Sequence, residues 1–299
     1  MSQLSKTTRQ PKAVRFSLTE RDMAILHSLA QYRYLRTGQI QRLHFPENTS
    51  PQSTRRRLKY LFHHGFVGRI EAMIAVGKGS AEVAYFLDKQ GLALLEDDMA
   101  VAGLPGKSGQ VKPAFLQHAL DVSEFQLCLH QAIAAQNKIA LHRFTADFEL
   151  KSHTNKAIGK HRYKLYDEVV HPQNRQTYTV YPDALVILRG TGNLSKHQRL
   201  YFVEIDRGTE GLKVIRNKII GYTLYAQFKT FQKFGKFDDF RLLLQTNSVR
   251  RQENIRDMLT DQVGSERVWF TTEDKVSEVT MLAEPIWQEV SGDYQALLK

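Results

Sequence analysis

Asp183, Glu204 and Asp206 are the side chains best spaced for chemistry. They stand in YTVYPDALVILRGTGNLSKHQRLYFVEIDRGTEG, residues 178–211. The stretch holds two apolar runs, Tyr178–Leu188 and Leu200–Asp206, joined by a loop (Gly190–Gln198) with turn chemistry. Val, Ile, Leu, Tyr and Phe dominate both runs, so the pattern predicts a β-hairpin. Side chains alternate along a strand, which puts Phe202, Glu204 and Asp206 on one face and Val203 and Ile205 on the other. Two carboxylates on one face of an apolar strand need solvent, a basic partner or a cation. Asp183, just after Pro182, could lie beside them on the neighbouring strand. Three converging acids would suit Mg²⁺ or Mn²⁺. The alternative is that they cap strand ends or pair with the chain's surplus of Arg and Lys.

That surplus is large. Among 299 residues, 42 are Lys or Arg and 31 are Asp or Glu, a net charge of +11. Such a balance favours a polyanionic partner, most often nucleic acid. The bases are also clustered. Residues 1–15, 48–70 and 150–166 contain several bases and no acid. No apolar run is long enough to span a membrane and no leader pattern opens the chain, so a cytoplasmic protein without a membrane partner is expected. The lone Cys128 excludes an internal disulfide and any multi-cysteine zinc site.

The length suits two domains. Residues 1–15 read as a basic, flexible arm. Thr19 with Asp22 marks a helix start, followed by Ile25, Leu26, Leu29 and Ala30 at helical spacing. A second helix fits Thr37–His44. A third opens at Ser50-Pro51 and stops at Gly65, with Leu58, Leu61 and Phe62 inward. Its other face offers Gln52, Ser53, Arg55, Arg56, Arg57, Lys59, Tyr60 and His63 to phosphates and base edges. Two short strands, Phe66–Ile70 and Val83–Leu87, flank a Gly/Lys loop, and a further helix fits Asp88–Leu95. Together, residues 16–98 read as a winged helix-turn-helix that binds double-stranded DNA.

Residues 99–113, rich in Gly, Pro and small side chains, read as a linker. Residues 114–275 then give helix (115–135), strand (139–150), the acidic hairpin, helix (from Gly208), strand (240–245), helix (248–262) and strand (267–271). The basic, aromatic block 151–166 reads as a DNA-facing loop, with Lys160, Arg162 and Lys164 for phosphates and Tyr163 and Tyr166 for stacking. Residues 276–299 read as a helical tail.

Pro182-Asp183 and Glu204-Ile205 on consecutive strands resemble the PD-(D/E)xK nuclease superfamily, and the element order matches its αβββαβ core. The fold class expected is therefore α+β with two domains, a winged helix-turn-helix followed by a restriction-endonuclease-like core. Asp206 holds the place of that motif's lysine. The resemblance implies that the following helix supplies one, with Lys218 first and Lys213 or Arg216 as rivals. It also implies a fourth acid on the first helix, Glu124. More broadly, LTERDMAILHSLAQYRYLRTGQIQRLHF, STRRRLKYLFHHGFV and PDALVIL…YFVEIDRGTE…NKIIGYTLY are similar to the replication-relaxation family and the related MobC-type plasmid relaxases. That likeness implies DNA binding at a plasmid or mobile-element origin, with metal-dependent strand nicking and accessory mobilisation or replication proteins. A homodimer is compatible with it. Two other readings stay open: a non-catalytic replication or transcription factor with a degenerate nuclease core, and a transposon-end endonuclease subunit.

Overall fold

The computed structural model describes residues 9, 16–71, 83–95, 111–152 and 158–298. Most of the basic arm, the tip of the expected wing and most of the expected linker lie outside these residues. The chain forms two compact units, Met1–Glu124 and Phe125–Lys299, with an α+β composition and mixed sheet pairing.

In the first unit, α1 (Glu20–Tyr32) starts at a reciprocal cap. The Thr19 hydroxyl accepts from the Asp22 amide (3.3 Å), and the Asp22 carboxylate accepts from the Thr19 amide (2.7 Å). This satisfies donors that a helix start otherwise leaves bare. The two-residue β1 (Leu35–Arg36) leads to α2 (Thr37–His44), and then α3 (Gln52–His63) follows. Gly65, at φ +76°, ends α3 in the left-handed region that favours glycine. β2 (Val67–Glu71) and β3 (Val83–Leu87) pair antiparallel, and β1 adds to β3 on its other side. A short α4 (Lys89–Leu94) is capped by Asp88. Ile25, Leu26, Leu29, Leu58 and Leu61 are fully buried, as their spacing requires.

The unit runs on past the expected linker. α5 (Pro113–Ala134) starts there, and its first half belongs to the first unit. Leu116 and Leu120 pack with Tyr34, Ala84 and Phe86. The Ser123 hydroxyl donates to the Tyr32 carbonyl (3.0 Å). Apolar contact at helical spacing therefore holds these residues as ordered structure.

The second unit is built on a seven-stranded mixed sheet. Along the chain come β4 (Ile139–Ala146), β5 (Asp167–Val170), β6 (Thr177–Val180), β7 (Ala184–Gly190), β8 (Gln198–Asp206), α6 (Leu212–Gln227), β9 (Phe240–Thr246), α7 (Val249–Leu259) and β10 (Val268–Thr272). A one-turn α8 (Thr280–Ala283), β11 (Trp287–Glu289) and β12 (Tyr294–Gln295) complete it. The sheet order is β12-β11-β10-β9-β8-β7-β4, parallel at β8/β9 and β9/β10 and antiparallel elsewhere.

Two expectations are corrected. The run 178–188 is not one strand. It breaks at Tyr181–Asp183, where Pro182 has no amide to donate to a ladder. β6 pairs with β5 in a separate two-stranded sheet, and β7 enters the large one. The tail is not helical either, since β11 and β12 extend the sheet in an antiparallel hairpin turned at Gly292 (φ +103°). Trp287 anchors it, fully buried, its indole N–H donating to the Met281 carbonyl (3.1 Å).

Candidate functional site

The hairpin β7–β8 sets the geometry. Ala184 pairs with Val203, which brings Asp183 to the carboxyl-end half of β8. The Asp183 amide donates to the Val203 carbonyl (3.0 Å), and the Asp183 carboxylate accepts from the Ile205 amide (2.7 Å). The acid is thus fixed beside the Glu204–Ile205 peptide. The alternation of β8 holds as expected: Phe202 packs on Tyr222 and Tyr225 of α6, and Glu204 faces the same helix.

Glu204 is only 5% exposed. α6 supplies both of its partners, one turn apart. Lys218 Nζ donates to Oε2 (2.9 Å) and the Tyr222 hydroxyl to Oε1 (2.7 Å). Lys218 also reaches the Glu210 carboxylate (2.9 Å). Burial pushes Glu204 upward, opposed by Lys218. Burial alone would lower Lys218, but Glu204, Asp183 and Glu210 hold it well above an ordinary lysine. This ammonium stays charged. Burial and the Glu204 charge raise Tyr222 well above an ordinary phenol, so its hydroxyl stays a donor.

Asp206 does not join them. Arg251 of α7 takes it bidentately, Nε to Oδ2 at 2.6 Å and Nη2 to Oδ1 at 3.1 Å. The same guanidinium donates to the Glu210 carbonyl (2.6 Å), tying down the loop between β8 and α6. A two-point guanidinium–carboxylate bond is among the strongest polar contacts a protein makes. Glu124 belongs to the first unit. Its carboxylate is held by Gln39 (2.8 Å) and Arg42 (2.5 Å) of α2. Among the described residues, no three His, Cys, Asp or Glu side chains gather at metal-binding spacing. Of the three acids expected to cluster, Arg251 takes Asp206, while Asp183 and Glu204 meet at the β7–β8 hairpin. Two hard-oxygen carboxylates, one just ahead of β7 and one on β8, are the kind of ligand that Mg²⁺ or Mn²⁺ takes alongside waters.

Of the expected lysines, Lys218 is the one hydrogen-bonded to Glu204; Arg216 instead bonds Met258. Sequence reasoning assigns no chemical role to Glu210, Tyr222 or Arg251, and places Tyr222 only in the buried stripe of α6. Glu210 lay in view within EIDRGTEG, and Tyr222 stood one helical turn beyond Lys218. Nothing local in the sequence marks Arg251, 45 residues from Asp206.

In the first unit, Gln52, Ser53, Arg55 and Arg56 are exposed on α3, with Lys59 and Tyr60 half-buried. Ser53, Arg56 and Tyr60 line an open groove of about 1010 Å³ with Arg21, Phe45 and Asn48. Two residues expected on that face are corrected. His63 is 2% exposed, on the inward side with Phe62. Arg57 turns to the fully buried Asp22, bonding it through Nε (2.5 Å) and Nη2, and donates to the Ser17 carbonyl (2.8 Å). Arg9 of the basic arm is likewise engaged, by Asp88 and the Phe62 carbonyl (3.0 Å).

In the second unit, Lys160 and Arg162 are exposed on a short 3₁₀ turn, while Lys164 pairs with Glu149 (2.9 Å). Lys160 Nζ sits 5.3 Å over the Tyr181 ring, against which Tyr163 stacks at 6.0 Å. Tyr166 is buried, edge-on to Tyr181. Tyr181 immediately precedes Pro182-Asp183, so the basic turn flanks the acid.

Fold and site together define an α+β protein with Asp183 and Glu204 at the end of a mixed sheet, and with Lys218 joining Glu204 to Glu210. A family model described as replication-relaxation matches residues 26–239, and the chain belongs to that family. Membership points to a role in plasmid replication or mobilisation. Comparison with curated proteins and with solved structures returned no match.

Proposed function

We propose that this protein binds DNA at a plasmid or mobile-element origin and nicks one strand with the help of Mg²⁺ or Mn²⁺. The observation that carries the reading is the meeting of Asp183, Glu204 and Lys218 at the β7–β8 hairpin. That set resembles the two acids and lysine of a PD-(D/E)xK nuclease, with the lysine supplied by α6 instead of the strand.

Asp183 and Glu204 would hold the metal, which supplies Lewis-acid stabilisation at phosphorus and a more acidic bound water. Lys218 carries three N–H donors. Two engage Glu204 and Glu210. The third would take a non-bridging phosphate oxygen as negative charge develops there. Arg251 keeps Asp206 and the β8–α6 loop in place. Residues 16–95 are read as a winged helix-turn-helix whose α3 presents Gln52, Ser53, Arg55 and Arg56 to the major groove. Lys160 and Arg162 would hold phosphates next to the scissile one. Accessory proteins and a homodimer are compatible with this reading.

A second reading, a non-catalytic DNA-binding factor, is favoured by two observations. Glu204 already has a donor on each oxygen, and Asp206 stands where the motif's lysine is expected. Supercoiled plasmid carrying the element's origin separates the two. With Mg²⁺ or Mn²⁺ the wild type should give open circles, EDTA should stop this, and Asp183→Ala and Glu204→Ala should bind DNA without nicking. Asp206→Asn should still nick. Tight binding with no nick under any metal would favour the second reading.

A further inference from the structure

Tyr222 has a feature that packing does not explain. Its ring lies 5.7 Å from Phe202 and 6.2 Å from Phe240, in an apolar cluster that a phenylalanine would fill equally well. The residue is 4% exposed. Burying a hydroxyl is costly unless it is hydrogen-bonded, and this one donates to Glu204 Oε1. Lys218 is the neighbour at i−4 on the same helical face and holds the other oxygen. The two donors differ in kind. Lys218 is a partly exposed ammonium on a long flexible stem, shared with Glu210. Tyr222 is enclosed, with a rigid ring and a short reach.

Resting on the nuclease reading above, we propose that Tyr222 is a positioning residue: its hydroxyl pins one oxygen of Glu204, so that the other can turn from Lys218 to a divalent cation without the carboxylate rotating away. Two donors on two oxygens define the plane of a carboxylate. When the metal arrives, Lys218 can pass to the phosphate and Glu210, and Tyr222 keeps the plane. Groups that orient a metal's carboxylate ligands in this way carry a large part of a site's affinity.

The test is direct Mn²⁺ binding to the full chain, followed by electron paramagnetic resonance without DNA. Tyr222→Phe should weaken Mn²⁺ affinity by about 10- to 100-fold, with circular dichroism and DNA affinity as in wild type. Tyr225→Phe is the comparison. It removes a hydroxyl from the same helix, but one that bonds Asp167 (2.5 Å), and it should leave Mn²⁺ affinity within twofold. Equal affinity in Tyr222→Phe and wild type would overturn the positioning role and leave the nuclease reading intact. Equal losses in both variants would also overturn it, by pointing to general loosening of α6. A wild type that binds no Mn²⁺ would remove the metal reading, and the positioning role with it.

Discussion

Glu204 is a buried carboxylate whose neutralising partner comes from another element, and that sets the cost of disturbing it. Removing one member of a buried ion pair leaves an uncompensated charge. Lys218→Met should therefore destabilise the chain by about 3 kcal/mol in urea titration, while Lys218→Met/Glu204→Gln recovers most of the loss and still fails to nick. If the single and double variants were equally stable, Glu204 would not depend on Lys218. The acids themselves were legible from alternation in an apolar strand. Which acid keeps a chemical role was not legible, because the choice is made by distant bases. Arg251 removes Asp206 from the cluster, and Gln39 with Arg42 removes Glu124. Lys218 was reachable only through the family likeness.

α3 joins two functions on one helix, and adjacent arginines divide them. Arg56 is exposed at the groove, whereas Arg57 folds back on Asp22. Arg56→Ala should weaken DNA binding and lower the salt slope of log affinity by about 0.9, with stability unchanged. Arg57→Ala should do the reverse and destabilise the fold by about 3 kcal/mol, since Asp22 is fully buried. Burial would raise the Asp22 carboxyl, but Arg57 and Thr19 outweigh it and hold it below the ordinary range. A folded value below the unfolded one gives stability that is present above about pH 4 and lost as pH falls through the folded value. Amide exchange in α1 and α3 should accelerate in that acid window, and Asp22→Asn should flatten the dependence. A helical period finds the buried stripe Leu58, Leu61 and Phe62, and it finds the exposed bases. It cannot say that Arg57, on the edge of the stripe, has an acid waiting on another helix.

At the scale of the molecule, most element types were readable from period and punctuation, and the departures occur where tertiary contact decides. Pro182 splits a run of eleven apolar-rich residues between two sheets, and the tail forms strands because Trp287 finds a buried seat. The placement of that seat has an optical consequence. The chain has two tryptophans, Trp269 and Trp287, and both are buried in the second unit. Both indoles therefore report from the second unit, and the first unit holds none. A change in indole emission on adding DNA would be a change at the unit that carries Glu204, read from the native chain without a label.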